Sequence, residues 1–331
     1  MRTSTPRRDA ANAADAGATS PGVTVEQLVD VATRFYLENR TQIEIARSLG
    51  VDPSTISRYL KRARDEGVVR IDVRAPRTEE EALGAALAER FGLAFALVVP
   101  GDGETIQAVA DAAAAHVGRL LRPGMRLGVS WGQTLSEVVH RLRPGAVSDL
   151  EIAQMAGGLG NTTPGIQGSD LARHLAELFP PSRVHYLHAP AIVDSVEIRR
   201  AIVSDRSVRS ALDAAAACEL ALVGIGTLAN DATLVRGGHL SPDDRLLLLD
   251  KGAVGNVNTR FFDEHGRPVG DLDERTVAVE WDELRRIPMV IAVAGGAGKA
   301  RAVLGALRTG CLDALVTDAP TARLIVATTS P

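Results

Sequence analysis

The chain has 331 residues, more than one hydrophobic core usually holds, so its length predicts two domains. Hydrophobic residues make up 45% and aromatics only 3%, which points to cores built from Ala, Val, Leu and Ile, as in α/β folds. The net charge of −4 excludes a chain that is basic throughout, so any nucleic-acid contact must come from a local basic surface. No apolar run nears the roughly 18 residues that span a bilayer, which gives no membrane segment. Met1 to Gly22 lacks the apolar stretch of a signal peptide and has little to bury, so residues 1–22 are expected to form a disordered tail. Cys218 and Cys311 lie in apolar surroundings with no paired spacing, which fits reduced thiols and a cytoplasmic protein.

The first ordered domain is expected over residues 23–75. Val25, Leu28, Val29, Ala32, Phe35 and Tyr36 recur at helical spacing until Asn39-Arg40 breaks the run. Thr41, with Glu44 three residues on, has the spacing of a capping box, and the short helix that follows stops at Gly50. Ile45, Ala46 and Leu49 give it an inner face. Asp52 can cap the next helix, and Pro53 suits its first position, where a missing N–H costs nothing. Ile56, Leu60 and Ala63 then point inward. Between Pro53 and Arg64 the charges are Arg58, Lys61, Arg62 and Arg64, with no acid among them. Short hydroxyls at such a helix start suit base edges, and arginines suit phosphates or guanine. The pattern predicts a helix-turn-helix bound to double-stranded operator DNA through Gln42, Ser54, Thr55, Ser57, Arg58, Lys61 and Arg62. Gly67 to Val73 alternates apolar and polar residues, as a small wing strand does.

A second domain is expected over residues 78–331. Thr78-Glu-Glu-Glu81 opens a helix running to about Phe91. Short apolar strands then alternate with helices such as Ile106 to Leu121 and Lys299 to Arg308. The strands are expected at 96–100, 126–130, 152–155, 184–187, 220–225, 277–279, 289–293 and 314–317. Continuous apolar strands alternating with helices predict a mostly parallel, Rossmann-like sheet covered on both faces, with ligands beyond the C-terminal strand ends.

Strand ends in this region carry ligand chemistry. Ser130-Trp-Gly-Gln-Thr134 leads into a helix, where small residues, hydroxyls and the helix N-terminus favour an anion. Gly224-Ile-Gly226 leaves room for a ligand, and Ala294-Gly-Gly-Ala-Gly-Lys299 puts a lysine at a helix start. Lys299 is not a P-loop lysine, because Ala300 replaces the hydroxyl residue and Val293 stands where the first glycine belongs. Gly157-Gly-Leu-Gly160 has the wrong spacing for a dinucleotide fingerprint. His185 and His188 lack a Cys or carboxylate partner at ligand spacing, so no metal is expected, nor any cofactor. The acidic stretch Asp271 to Glu274 reads as a solvated loop, and the Ala-rich segment 111–116 as helix packing.

Together these residues resemble the SorC family of bacterial regulators. The likeness is carried by Thr41 to Ala46, Ser54 to Arg58, Gly128 to Thr134, Gly224 to Gly226 and Gly252 to Gly255. It continues through Phe261 to Asp263, Ala294 to Gly296, Lys299-Ala300, Thr317-Asp318 and Thr321-Ala322. It implies a winged helix-turn-helix joined to an effector and oligomerisation domain of the glucosamine-phosphate isomerase and ribose-phosphate isomerase type. It also implies an operon for sugar or polyol catabolism, a phosphorylated sugar as effector, and assembly into dimers or tetramers. Ser130, Gly132, Gln133, Thr134 and Lys299 match positions that would hold the phosphate; Gly224, Gly226 and Asn256 complete the expected effector site. The family commonly has Arg in place of Gln133 and Asp in place of Asn256, so an unphosphorylated polyol stands as the alternative effector.

The competing reading is a sugar-phosphate isomerase or deaminase. Enzymes of that kind continue from their Gly-Ile-Gly strand end into a motif with a catalytic His and Glu. Here Gly226 is followed by Thr227-Leu-Ala-Asn-Asp231, which supplies neither. The expectation is therefore a DNA-binding sensor without catalysis.

Overall fold

A computed structural model describes residues 23–70, 78–101, 105–145, 147–160, 165–230, 232–237 and 239–329. By its contacts the chain divides into two compact units, Met1–Pro76 and Arg77–Pro331. The tail expected over residues 1–22 and the wing strand beyond Arg70 lie outside the described residues.

The first unit is helical. α1 (Val25–Ala32) starts on a capping box between Thr24 and Gln27 and runs into a π-turn at Thr33–Leu37, which ends where Asn39 turns left-handed at φ 54°. α2 (Gln42–Leu49) is capped by Thr41 with Glu44 as the reciprocal partner and stops at a left-handed Gly50. α3 (Pro53–Asp65) is capped by Asp52, whose carboxylate takes the Ser54 amide at 2.8 Å. Leu28, Val31, Ile45, Ala46, Ile56, Leu60 and Ala63 are buried, and Phe35, Tyr36 and Tyr59 pack on the resulting core. Leu49, assigned to that inner face from its spacing, is 38% exposed. The buried face of α2 thus ends at Ala46, one turn earlier than a continued 3.6-residue period gives.

The second unit begins with α4 (Glu79–Phe91), capped by Thr78 and Glu81. Then follow β1 (Phe95–Val99), α5 (Thr105–Leu120), β2 (Arg126–Val129), α6 (Gln133–Arg141), β3 (Glu151–Gln154), α7 (Gly168–Leu178) and β4 (Arg183–His185). The chain continues through α8 (Val196–Ser204), α9 (Arg206–Ala216), β5 (Leu220–Gly226), α10 (Thr233–Arg236) and α11 (Pro242–Asp250). It ends with β6 (Ala253–Val257), β7 (Arg260–Asp263), α12 (Trp281–Leu284), β8 (Val290–Val293), α13 (Ala300–Arg308), β9 (Ala314–Asp318) and α14 (Ala319–Thr328).

The main strands run parallel in the order β1-β9-β8-β5-β2-β3-β4. Their residues alternate between two apolar layers. Leu220, Leu222, Ile291 and Val293 face α5, α6 and α7, while Ala221, Val223, Val290 and Ala292 face α4, α9, α13 and α14. Burial on both faces explains why the strands read as unbroken apolar runs.

Two departures from the sequence reading concern one region. β6 and β7 form an antiparallel hairpin on the end of β5, a feature the sequence reading did not name as strands. The strand expected at 277–279 is absent as a ladder; only isolated bridges form, Ala156 with Ala278 and Ile192 with Thr276. The reason is a side chain. Arg260, fully buried, donates through Nε to the Val279 carbonyl at 2.7 Å and through Nη2 to the Ala278 carbonyl at 2.9 Å, so those acceptors are not left for a neighbouring strand. Arg260 Nη1 lies 2.9 Å from Asp273 and Nη2 lies 2.8 Å from Glu280. The Asp273 contact misses hydrogen-bond geometry, so it is ionic. The acidic stretch 271–274 is therefore only partly a solvated loop: Asp271 is open to water, but Asp273 neutralises a buried guanidinium.

Candidate functional site

In the first unit, the expected DNA-reading residues sit on α2 and α3. Ser54, Ser57, Arg58, Lys61 and Arg62 are exposed, while Gln42 and Thr55 are half-buried. Arg58 Nη2 donates to the Thr55 hydroxyl at 3.3 Å, and Arg62 is ion-paired with Glu66. Hydrogen bonds from the Ser54 hydroxyl and amide hold the Asp52 carboxyl below its usual range, so the cap stays ionised where the helix dipole favours it. Burying Ile56, Leu60 and Ala63 turns the basic side chains of α3 outward.

In the second unit, a cavity of about 490 Å³ opens at the C-terminal ends of β2, β5 and β8. It is lined by every effector residue expected from the sequence: Ser130, Gly132, Gln133, Thr134, Gly224, Gly226, Asn256 and Lys299. The topology explains the convergence. β2, β5 and β8 are neighbours in a parallel sheet, so their following turns emerge on one side.

The turn after β2 needs glycine at 132, where φ is 129°, and enters α6 without a side-chain cap. The turn after β8 passes Gly296 at φ 104° through a short 3-10 turn into α13, again without a side-chain cap. Several other helices of this unit carry such caps, at Thr78, Ser195, Asp205 and Ser241, while α7 and α10 also start without one. Uncapped first-turn amides can meet an anion. At the second start the Lys299 and Ala300 amides already donate to the Gly296 and Ala297 carbonyls, so the open end lies at the 3-10 turn before them. Lys299 Nζ donates to the Ile225 carbonyl at 3.4 Å, which brings its charge across to the end of β5. It is the only ionisable side chain among the described lining residues.

Some groups act differently from their sequence reading. Ser130 is buried and donates its hydroxyl to Asn258 Oδ1 at 2.9 Å, so that proton is spent inside the protein. The space left by Gly226 is occupied by a neighbour, since a Cβ there would lie 2.5 Å from Asn256 Nδ2. Gly224 has ordinary room, its nearest contact being the Trp131 carbonyl at 3.6 Å. Ile106, Thr227, Thr233 and Asn258 also line the cavity, beyond the residues expected from the sequence. Asn258 stands in the left-handed turn just after β6, two residues from Asn256, a placement that strand alternation does not signal. Of the histidine pair, His185 lies 3.9 Å from Glu151 and His188 stacks on Tyr186.

Comparison with known proteins accounts for both units. A family model described as "Putative sugar-binding domain" matches residues 76–327, and one for winged helix-turn-helix DNA-binding matches residues 39–70. The chain is 30% identical over 303 residues to the deoxyribonucleoside regulator of Bacillus subtilis, covering 90% of this chain and 96% of that protein. It is 33% identical over 314 residues to the transcriptional regulator LsrR of an Enterobacter species, covering 92% and 94%. Among solved structures, the full-length sorbitol operon regulator SorC of Klebsiella pneumoniae aligns with TM-score 0.70 at 30% identity, covering 92% of this chain and all of the other. The chain belongs to the SorC family of sugar-binding transcriptional regulators.

Proposed function

We propose that this regulator senses a small phosphorylated sugar in the cavity at the ends of β2, β5 and β8, and that occupancy controls its DNA affinity or assembly. The observation that carries the reading is the lining itself. Two uncapped helix starts and a single cation, with no carboxylate among the described lining residues, favour a ligand with one compact negative charge. Amides and hydroxyls at Gln133, Thr134 and Asn256 suit the remaining hydroxyls of a sugar or polyol. In this reading Lys299 and the Gly132–Thr134 turn hold the phosphate, Gly224, Gly226 and Asn256 shape the sugar end, and α3 meets operator DNA through Ser54, Thr55, Ser57, Arg58, Lys61 and Arg62, with Gln42 of α2 beside it.

No Asp, Glu, His or Cys occurs among the described lining residues, which leaves Lys299 as the one described group that could move a proton on a bound sugar, without a paired acid or base. That supports sensing without turnover. The mechanism is linkage: a ligand that binds one state more tightly shifts DNA affinity by that difference. A homo-oligomer presenting paired heads would read two half-sites. No helix among the described residues is long and apolar enough to cross a membrane, and we place the regulator in the cytoplasm, controlling a sugar or polyol catabolic operon.

The test is a titration with sugars, polyols and their phosphates, following tryptophan fluorescence and binding to upstream DNA together. Trp131 lines the cavity, and the only other tryptophan is Trp281. A saturable response to one phosphorylated compound, with a matching change in DNA affinity, establishes the reading. DNA binding that ignores every compound overturns the sugar-phosphate site.

A further inference from the structure

The β6–β7 hairpin turns at Asn258 and Thr259, both in the left-handed region at φ 50° and 66°, between the paired residues Val257 and Arg260. Two left-handed central residues make a type I′ turn, whose usual sequence is Asn-Gly. Asparagine tolerates this backbone, but a β-branched threonine in it is an outlier that needs outside support.

That support comes from the wall of the ligand cavity. The Trp131 indole N–H donates to the Thr259 hydroxyl at 2.9 Å, and the Ser130 hydroxyl donates to Asn258 Oδ1, also at 2.9 Å. Asn258 Nδ2 donates to the Met155 carbonyl at 3.1 Å, which fixes the amide with its oxygen toward Ser130. All these side chains are buried. The hairpin is itself held from the other side, because Arg260 follows Thr259 directly and is locked to Asp273, Glu280 and two backbone carbonyls. An anchored turn therefore grips the two residues that lead into the uncapped start of α6.

We propose that Asn258 and Thr259 are positioning residues for the anion end of the cavity. By clamping Ser130 and Trp131 they hold the Gly132–Thr134 amides where an oxyanion can meet them. This inference rests on the cavity being the effector site. It assigns to the hairpin turn a part in ligand binding, and it gives the threonine a reason to stand where glycine would be unstrained.

The experiment uses the full chain carrying Trp281→Phe, which leaves Trp131 as the only tryptophan, with inorganic phosphate as the probe followed by calorimetry and Trp131 emission. Thr259→Val keeps the branched shape but removes the acceptor; Thr259→Ser keeps the hydroxyl. The expected result is an about tenfold weaker phosphate affinity in Thr259→Val, with shifted Trp131 emission before any phosphate is added. Thr259→Ser should restore both. Ser130→Ala cuts the second contact of the clamp and is expected to weaken phosphate likewise, so the test does not hang on one variant folding. Unchanged affinity in the folded variants overturns the positioning role while leaving the cavity's function standing. If the parent protein takes no phosphate at all, the effector-site reading fails and this inference goes with it.

Discussion

Asp318 and Gly296 are joined by a partly buried hydrogen bond: the Gly296 amide donates to Asp318 Oδ2, while Asp318 Oδ1 accepts the Thr321 amide at 2.8 Å. The carboxylate is fully buried at the end of β9 and caps α14 with one oxygen. With the other it fixes the glycine turn that lines the cavity. Both oxygens face N–H groups, so an amide cannot replace the acid without setting donor against donor. Asp318→Asn should destabilise the protein by about 1–3 kcal/mol and weaken phosphate binding in the same variant. Denaturant unfolding beside calorimetry checks this, and a variant with native affinity would show that the turn does not depend on Asp318.

The two units should fail separately. Lys299→Ala removes the only described charge in the cavity and is expected to abolish the response of DNA binding to a sugar phosphate. Arg58→Ala should weaken operator binding and flatten its dependence on salt, because a phosphate-neutralising charge is gone. Ligand binding in Arg58→Ala should be close to native. Measuring DNA affinity across a salt series, with and without ligand, separates the outcomes. An unaltered response in Lys299→Ala would move the phosphate elsewhere.

Arg260 is the costliest side chain to truncate. Its removal strands the half-buried Asp273 beside it and frees two backbone carbonyls that no strand satisfies. Arg260→Ala is expected to cost about 3–5 kcal/mol. Chemical denaturation tests this, and a loss below about 1 kcal/mol would mean that water solvates the site after truncation.

The cysteines should be inert in the folded protein. Burial pushes the Cys218 thiol up to about 12 and the Cys311 thiol up to about 11. Alkylation needs the thiolate. Raised values keep both residues protonated through pH 9, where an unfolded thiol is largely ionised. Iodoacetamide at pH 8.5 should therefore label neither residue until denaturant is added, and rapid labelling of the native protein would contradict their burial.

Much of this molecule was written in local patterns. The caps at Thr41, Asp52 and Thr78 rest on side chains reaching backbone amides a few residues away, and such contacts survive whatever the rest of the chain does. The parallel strands were legible because burial on both faces demands continuous apolar runs, and the glycine-bearing turns after them are visible as spacing. That these turns lie around one cavity follows from β2, β5 and β8 being sheet neighbours, an order no single turn encodes.

What stayed hidden depended on partners far along the chain. The β6–β7 hairpin lacks an Asn-Gly signal, because Thr259 keeps its left-handed backbone with the help of Trp131, 128 residues away. Residues 277–279 have the composition of a strand, yet the buried guanidinium of Arg260 takes the carbonyls a ladder would use. Asp273 looks like surface acid until that guanidinium is placed against it. The sequence by itself determined caps, helices, strand alternation and the residue types of the site. Only tertiary structure decided which polar groups are already spent on one another and which face the cavity, because hydrogen-bond accounting in a buried space depends on every neighbour at once.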